Sequence, residues 1–134
     1  MKTLATLFLF ALAATSAQAD SNLARAKRQL NSFVGTNAAG TDANEQPCRV
    51  RITRAGNTIS VSASGAIIEI PANLRRNTAT RALVLSRVVD LKAIAFTETI
   101  EGVESGAVIA YEDGKVYSVM LSTGEPPVIY CTVN

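Results

Sequence analysis

The clearest pattern in the chain is the alternation of apolar and polar residues that begins at Cys48. In CRVRIT the residues at 48, 50 and 52 are apolar and those between them are polar, and the alternation resumes in ISVSAS after the turn residues AGN. A period of two predicts strands with one buried and one exposed face. The segment therefore predicts a β-hairpin, followed by a third strand, GAIIEIP, that Pro71 ends.

The second half of the chain predicts further strands. Residues 81–86 and 91–100 are rich in apolar and β-branched residues and predict two strands, with a short helix over 86–91 as the alternative. AVIAYEDGKVYSVML predicts a hairpin, because Asp113-Gly114 is a favoured type I′ turn sequence. VIYCTV is the last predicted strand. The chain is therefore expected to be mainly β, an antiparallel β-sandwich or small barrel of about seven strands with a short N-terminal helix.

The predicted helix covers residues 21–32. Apolar residues recur at 23, 26, 30 and 33, which is close to helical spacing, and basic residues at 25, 27 and 28 lie on other faces. The pattern fits both a helix docked on the β region and a mobile arm. Residues 34–47, VGTNAAGTDANEQP, lack periodicity and predict a loop that links the helix to the β region.

The first 20 residues, MKTLATLFLFALAATSAQAD, have the form of a secretory signal peptide. Lys2 precedes an apolar core at 4–14 that is too short to span a bilayer, and Ala17-Gln18-Ala19 is a small-x-small cleavage signal. We expect cleavage after Ala19 and a periplasmic or secreted, bacterial protein with no membrane span in its mature chain. The predicted organisation is a signal peptide (1–19), a helix and loop (20–47) and a disulfide-closed β domain (48–134).

The two cysteines, Cys48 and Cys131, lie 83 positions apart. An even cysteine count in an exported chain favours disulfides, so we predict one intramolecular bond that pins the last strand. The chain-entropy model gives such a loop about 4–5 kcal/mol of stabilisation. The alternatives are a disulfide between two copies and a reactive thiol. The chain contains no histidine to act as the base that a catalytic thiol uses.

Few residues are candidates for catalysis. Without histidine there is no Ser-His-Asp arrangement and no imidazole metal ligand, and the sequence predicts neither a metal nor a cofactor. The remaining enzymatic option is a carboxylate pair drawn from Glu98, Glu101 and Glu104, which would suit an envelope glycan hydrolase. A solvated, charged turn is the favoured interpretation of these acids, so the sequence favours a non-enzyme.

Charge is distributed unevenly along the chain. Residues 20–89 carry ten Lys and Arg and four Asp and Glu, whereas residues 90–134 carry two and seven. This asymmetry can mean that basic strands pair with acidic ones, or that a bipolar surface steers a partner. Arginine forks suit carboxylates and phosphates. The candidate partner-binding residues are Arg49, Arg51, Arg75 and Arg76.

The sequence as a whole predicts a small exported non-catalytic binding module. Its expected partner is another exported protein, which it would bind as an inhibitor or an adaptor. A small-ligand carrier with an apolar cavity is an alternative beside the hydrolase. The mature chain has no tryptophan and a net charge near zero, which argues against nucleic acid as a partner. The pattern leaves the oligomeric state open.

Overall fold

The computed structural model of the 134-residue chain describes residues 16–75, 81–88 and 91–134. These ranges contain one helix and nine strands. The predicted signal peptide up to residue 15, and Arg76, lie outside them. The elements are α1 (Ser16–Ser32), β1 (Asn37–Thr41), β2 (Pro47–Ala55), β3 (Thr58–Ala63), β4 (Ala66–Pro71), β5 (Arg81–Val88), β6 (Leu91–Ile100), β7 (Val103–Glu112), β8 (Lys115–Ser122) and β9 (Ile129–Val133).

The strands form one antiparallel sheet that is curled into a half-barrel. Its order is β4-β3-β2-β1-β9-β8-β7-β6-β5, so two meanders, β1–β4 and β5–β9, are joined where β1 pairs with β9. The curl brings the inner faces of the two meanders together, since β3 approaches both β8 and β9. The predicted mainly β, antiparallel class is confirmed, but the strand count is nine rather than seven.

Strand β1 lies in the segment that the sequence predicts as a loop. Its residues, NAAGT, are small or polar and give no strong alternation, so propensity alone does not favour a strand. The segment is extended because it pairs with β2 over five positions and with β9 over two. Here the hydrogen bonds of two neighbouring strands, rather than local sequence, determine the conformation.

Two-residue turns connect four pairs of consecutive strands in the described residues. Asp113 and Gly114 have φ values of 53° and 76°, which confirms the predicted type I′ turn between β7 and β8. Ser64-Gly65 and Glu101-Gly102 show the same pair of positive φ angles. The alternative of a helix over 86–91 is wrong at both ends, because β5 runs to Val88 and β6 begins at Leu91. Residues 89 and 90 lie outside the described part of the chain.

Helix α1 packs on the inner face of the sheet and occupies the space inside the curl. The predicted apolar face is confirmed: Ala26, Leu30 and Phe33 are at most 2% exposed. The Phe33 ring meets the Tyr111 ring edge-on, with centroids 5.2 Å apart. After the helix, the Gly35 N–H donates to the Ile52 carbonyl at 2.8 Å. The helix is therefore docked rather than a free arm.

The helix starts at Ser16, five residues before the predicted start. Ala17 and Ala19, the residues of the predicted cleavage signal, fall in its first turns. Cleavage after Ala19 remains a prediction.

The predicted disulfide joins Cys48 and Cys131, with the two Cα atoms 6.0 Å apart. It links β2 to β9 across β1, on the inside of the curl. Gly40 of β1 lies beneath the bond, and a Cβ atom added there would meet the Thr132 carbonyl oxygen and come within 3.0 Å of the Cys131 Sγ. The absence of a side chain at Gly40 therefore allows the two sulfurs to meet.

Candidate functional site

The outer face of β2–β4 carries a shallow groove with two of the four predicted arginines. We call it the arginine groove, and its volume is about 300 Å³. Because Val50 and Ile52 point into the core, alternation places Arg49 and Arg51 on the outside. Both arginines are exposed. The lining residues are Arg49, Arg51, Ser62, Ala63, Ser64, Gly65 and Ile67.

Polar contacts orient one arginine of the groove, and the groove also has an apolar rim. Arg49 Nη1 donates to Asn37 Oδ1 at 2.8 Å. Within the described ranges neither Arg49 nor Arg51 forms an ion pair. Ile67 of β4 is 58% exposed beside them, and β4 is the outermost strand on this side of the sheet. The groove thus combines two arginines that form no ion pair in the described ranges, an exposed aliphatic side chain and a strand edge.

The other two predicted arginines are not brought into the groove. Arg75 is exposed and follows β4 at the end where Pro71 pairs with Thr58. Arg49 of β2 lies beside the opposite end of β3, near the turn at residues 64–65. Arg76 lies outside the described residues. The structure therefore groups Arg49 with Arg51 and leaves Arg75 apart from them.

The three candidate catalytic glutamates are not arranged as a pair. Glu98 pairs with Ser105 in the β6–β7 ladder and Glu104 with Thr99, so alternation places Glu98 and Glu104 on opposite faces of the sheet. Glu98 accepts from Arg81 Nε at 2.9 Å, and Glu101 is exposed in a turn. This geometry does not place two carboxyl groups on either side of one cleft, as glycoside hydrolysis needs.

A second concave site lies between α1 and the strands β5–β7. We call it the helix pocket, and its volume is about 470 Å³. Four of its residues come from one face of the helix, and the rest come from the ends of three strands. The lining residues are Arg25, Arg28, Gln29, Ser32, Leu85, Ser86, Lys92 and Tyr111.

The helix pocket is positively charged. Arg25, Arg28 and Lys92 contribute three cations, and no described lining residue carries a carboxylate. Lys92 is directly opposite Tyr111 in the β6–β7 ladder. Burial raises the pKa of Tyr111 above 10.0, and the nearby Arg25 guanidinium offsets part of this effect. The phenol is therefore neutral at pH 7 and can donate a hydrogen bond.

The sequence alone indicates the helix side of this pocket but not its strand side. Residues 25, 28, 29 and 32 follow i, i+3, i+4, i+7 spacing and form a polar stripe beside the apolar face of α1. That stripe is readable from the sequence, and we did not predict a site from it. Lys92 and Tyr111 join it only through the register of β6 and β7, which local sequence does not specify.

Metal-ligand clusters and membrane-spanning helices are both absent from the described ranges. No group of three His, Cys, Asp or Glu side chains there is placed to hold a metal ion. The described helix is not long and apolar enough to cross a membrane. Comparison with protein-family models, curated proteins and solved structures found no match to this chain.

Proposed function

We propose that this protein is a non-catalytic binding module of the periplasm or the extracellular space, and that its arginine groove binds an acidic surface of another exported protein. The observation that carries the proposal is the pair Arg49 and Arg51, exposed on one strand face without a carboxylate partner in the described residues. A partner's carboxylates would supply the missing charge, and complementary charge also accelerates encounter.

The surroundings of the groove favour a protein over a small ion. Ile67 exposes most of its side chain beside the arginines, and burying it would add apolar contact area. Arginine is among the residues that most often dominate binding energy at protein interfaces. Asn37 holds the Arg49 guanidinium in place, so less side-chain entropy is lost when a partner binds.

Two features support action outside the cytoplasm. The disulfide between Cys48 and Cys131 is of a kind that persists in oxidising compartments. The first 19 residues carry the pattern of a cleaved signal peptide. Together they favour the periplasm or the extracellular space as the site of binding.

The two alternative functions receive less support. A hydrolase needs two carboxyl groups at one cleft, and Glu98 and Glu104 lie on opposite faces of the sheet. A carrier needs an apolar cavity within the curl of the sheet. Leu30 of α1, and Phe33 directly after the helix, instead pack into that space, and both are at most 2% exposed.

The proposal is tested by site-specific photo-crosslinking. A photo-reactive residue replaces Ile67, and the chain is incubated with native envelope and secreted proteins of the producing cells. We expect one dominant crosslinked species, lost when Arg49→Glu and Arg51→Glu are combined and weakened as salt rises. A photo-reactive residue at Tyr117, which is 44% exposed elsewhere on the sheet, serves as the positional control.

The matched charge control combines Arg75→Glu with Lys115→Glu. Both residues are exposed and lie outside the groove, so this variant also reverses two positive charges. It should retain the crosslink. Equal loss in both double variants would show a general charge effect and would contradict the groove assignment. No specific crosslink at position 67 at any salt concentration would contradict the proposed function.

A further inference from the structure

We propose that the helix pocket binds a small organic phosphate monoester, at a site separate from the arginine groove. Its three cations converge from two elements, Arg25 and Arg28 from α1 and Lys92 from β6. None of the described lining residues neutralises them. Like charges held together favour an anion that carries more than one negative charge. A phosphate monoester carries close to two at neutral pH.

The donors in the pocket match the geometry of a phosphate group. Arg25 and Arg28 lie three residues apart, so their side chains emerge from the same face of α1. Each guanidinium can contact two phosphate oxygens, and Lys92 adds a compact charge from the opposite wall. Tyr111 lines the pocket, and its phenol, neutral at pH 7 as tyrosine ordinarily is, can donate a further hydrogen bond.

The pocket also has an apolar wall, which favours an organic ester over inorganic phosphate. Leu85 is half-buried there, and the Tyr111 ring is fixed by its edge-on contact with Phe33 at 5.2 Å. A ring or short chain attached to the phosphate would pack on these two side chains. The volume of about 470 Å³ is that of a small-molecule site.

The residues of the helix pocket belong to separate segments of the chain, which packing brings together. Its helix wall is held in place because Leu30 and Phe33 are buried in the core. Its strand wall is held by the pairing of Lys92 with Tyr111. A ligand at the pocket therefore contacts α1 and the β5–β9 meander, whereas a partner at the arginine groove contacts the β1–β4 meander. The two sites can be tested independently.

The test is a titration of the full chain with phenyl phosphate, followed by ¹H–¹⁵N NMR. Phenyl sulfate is the matched probe with one negative charge, and phenol is the neutral probe. We expect saturable shifts confined to residues 25–32, 85–86, 92 and 111. Phenyl sulfate should bind about tenfold more weakly, because it lacks the second charge, and phenol should not saturate.

Variants assign the binding to named residues. Arg28→Gln keeps a good helix former at an exposed position and should weaken phenyl phosphate binding about tenfold. Arg25→Gln combined with Arg28→Gln should abolish saturation. Tyr111→Phe should weaken binding severalfold, because it removes one donor and keeps the ring. Arg49→Gln with Arg51→Gln removes the same charge from the arginine groove and should leave the affinity unchanged.

Several outcomes would overturn the proposal. One is the absence of saturation by phenyl phosphate in the millimolar range, and another is equal affinity for phenyl sulfate. A third is unchanged affinity in the Arg25→Gln, Arg28→Gln double variant, with an intact fold verified by circular dichroism. Shifts centred on Arg49 and Arg51 would relocate phosphate binding to the groove and would equally contradict the assignment.

Discussion

Gly40 shows how one small residue determines a tertiary link. It lies one residue before the end of β1, under the bond that joins Cys48 to Cys131. Any Cβ atom there would press on the Thr132 carbonyl and the Cys131 sulfur. Neither neighbour can move freely, because one is backbone in the β1–β9 ladder and the other is covalently bonded. The glycine is needed for close approach and not for an unusual backbone angle.

Gly40→Ala should therefore reduce the free energy of unfolding by about 1–3 kcal/mol, the usual cost of overpacking. Urea denaturation of the oxidised protein measures this change. Ala39→Ser is the control, since it adds one atom at the next, exposed position of the same strand and should change stability by less than about 0.5 kcal/mol. A Gly40→Ala variant as stable as the wild type would show that the disulfide does not press on β1.

The pKa of Tyr111 differs between the folded and the unfolded chain. Burial raises its pKa above 10.0 in the native state. A raised native pKa means that the folded chain holds this proton more tightly than the unfolded chain. The resulting stabilisation is fully present below about pH 10 and is lost as pH rises through the native pKa. Alkali should thus destabilise the fold through this side chain.

Absorbance at 295 nm can follow tyrosine ionisation directly. Because burial raises the Tyr111 pKa, Tyr111→Phe should remove the last step of the alkaline titration of the native protein. Tyr117→Phe, at a 44% exposed position, is the control and should leave that last step in place. A last step that persisted unchanged in Tyr111→Phe would disprove the effect of burial on the Tyr111 pKa.

At the scale of elements, α1 takes the place that a second layer would have in a sandwich. The curled sheet has an apolar inner face. Ala26 and Leu30 of the helix, and Phe33 directly after it, cover this face. The helix makes its most extensive contact with β5 and also reaches β6. It also fixes one wall of the helix pocket, so its packing and the proposed phosphate site depend on each other.

Leu30→Ala tests this packing. Leu30 is 1% exposed, and its truncation should cost about 2–5 kcal/mol of unfolding free energy, through lost apolar burial and a residual cavity. Arg28→Ala is the control on the same helix. Arg28 is exposed, and alanine favours helix, so this change should cost little stability. Chemical denaturation compares the two. A loss below about 1 kcal/mol for Leu30→Ala would mean that α1 contributes little to the core.

The elements also show what local sequence can predict. Strands with a clear alternation, such as β2 and β3, and turns with a fixed chemistry, such as Asp113-Gly114, were predicted correctly, since their signals are local. Strand β1 was not, because its extended conformation comes from its two neighbours. The helix pocket needs the β6–β7 register and the docking of α1, and neither can be read from a single segment.

At the scale of the whole molecule, the fold mixes the basic and the acidic halves of the sequence. Helix α1, which carries Arg25, Lys27 and Arg28, packs on β5 and β6. The basic strand β2 pairs with β1 and β3, and neither of these strands carries a charged residue. In the described part of the chain the one ion pair is Arg81 with Glu98, between β5 and β6. Strand β2 therefore has no acidic strand beside it, and the uneven charge along the sequence does not separate the two flanks of the sheet.

The position of β1 has a further consequence for how the chain assembles. A ribosome makes β1 first and β9 last, yet the two lie side by side in the middle of the sheet. The β1–β4 meander can pair as it emerges, because its contacts are sequential. The union of the two flanks must wait for β9, because β9 and its Cys131 follow all the other described strands in the chain. A chain that lacks β9 would hold the β1–β4 meander and strands β5–β8 with no seam between them.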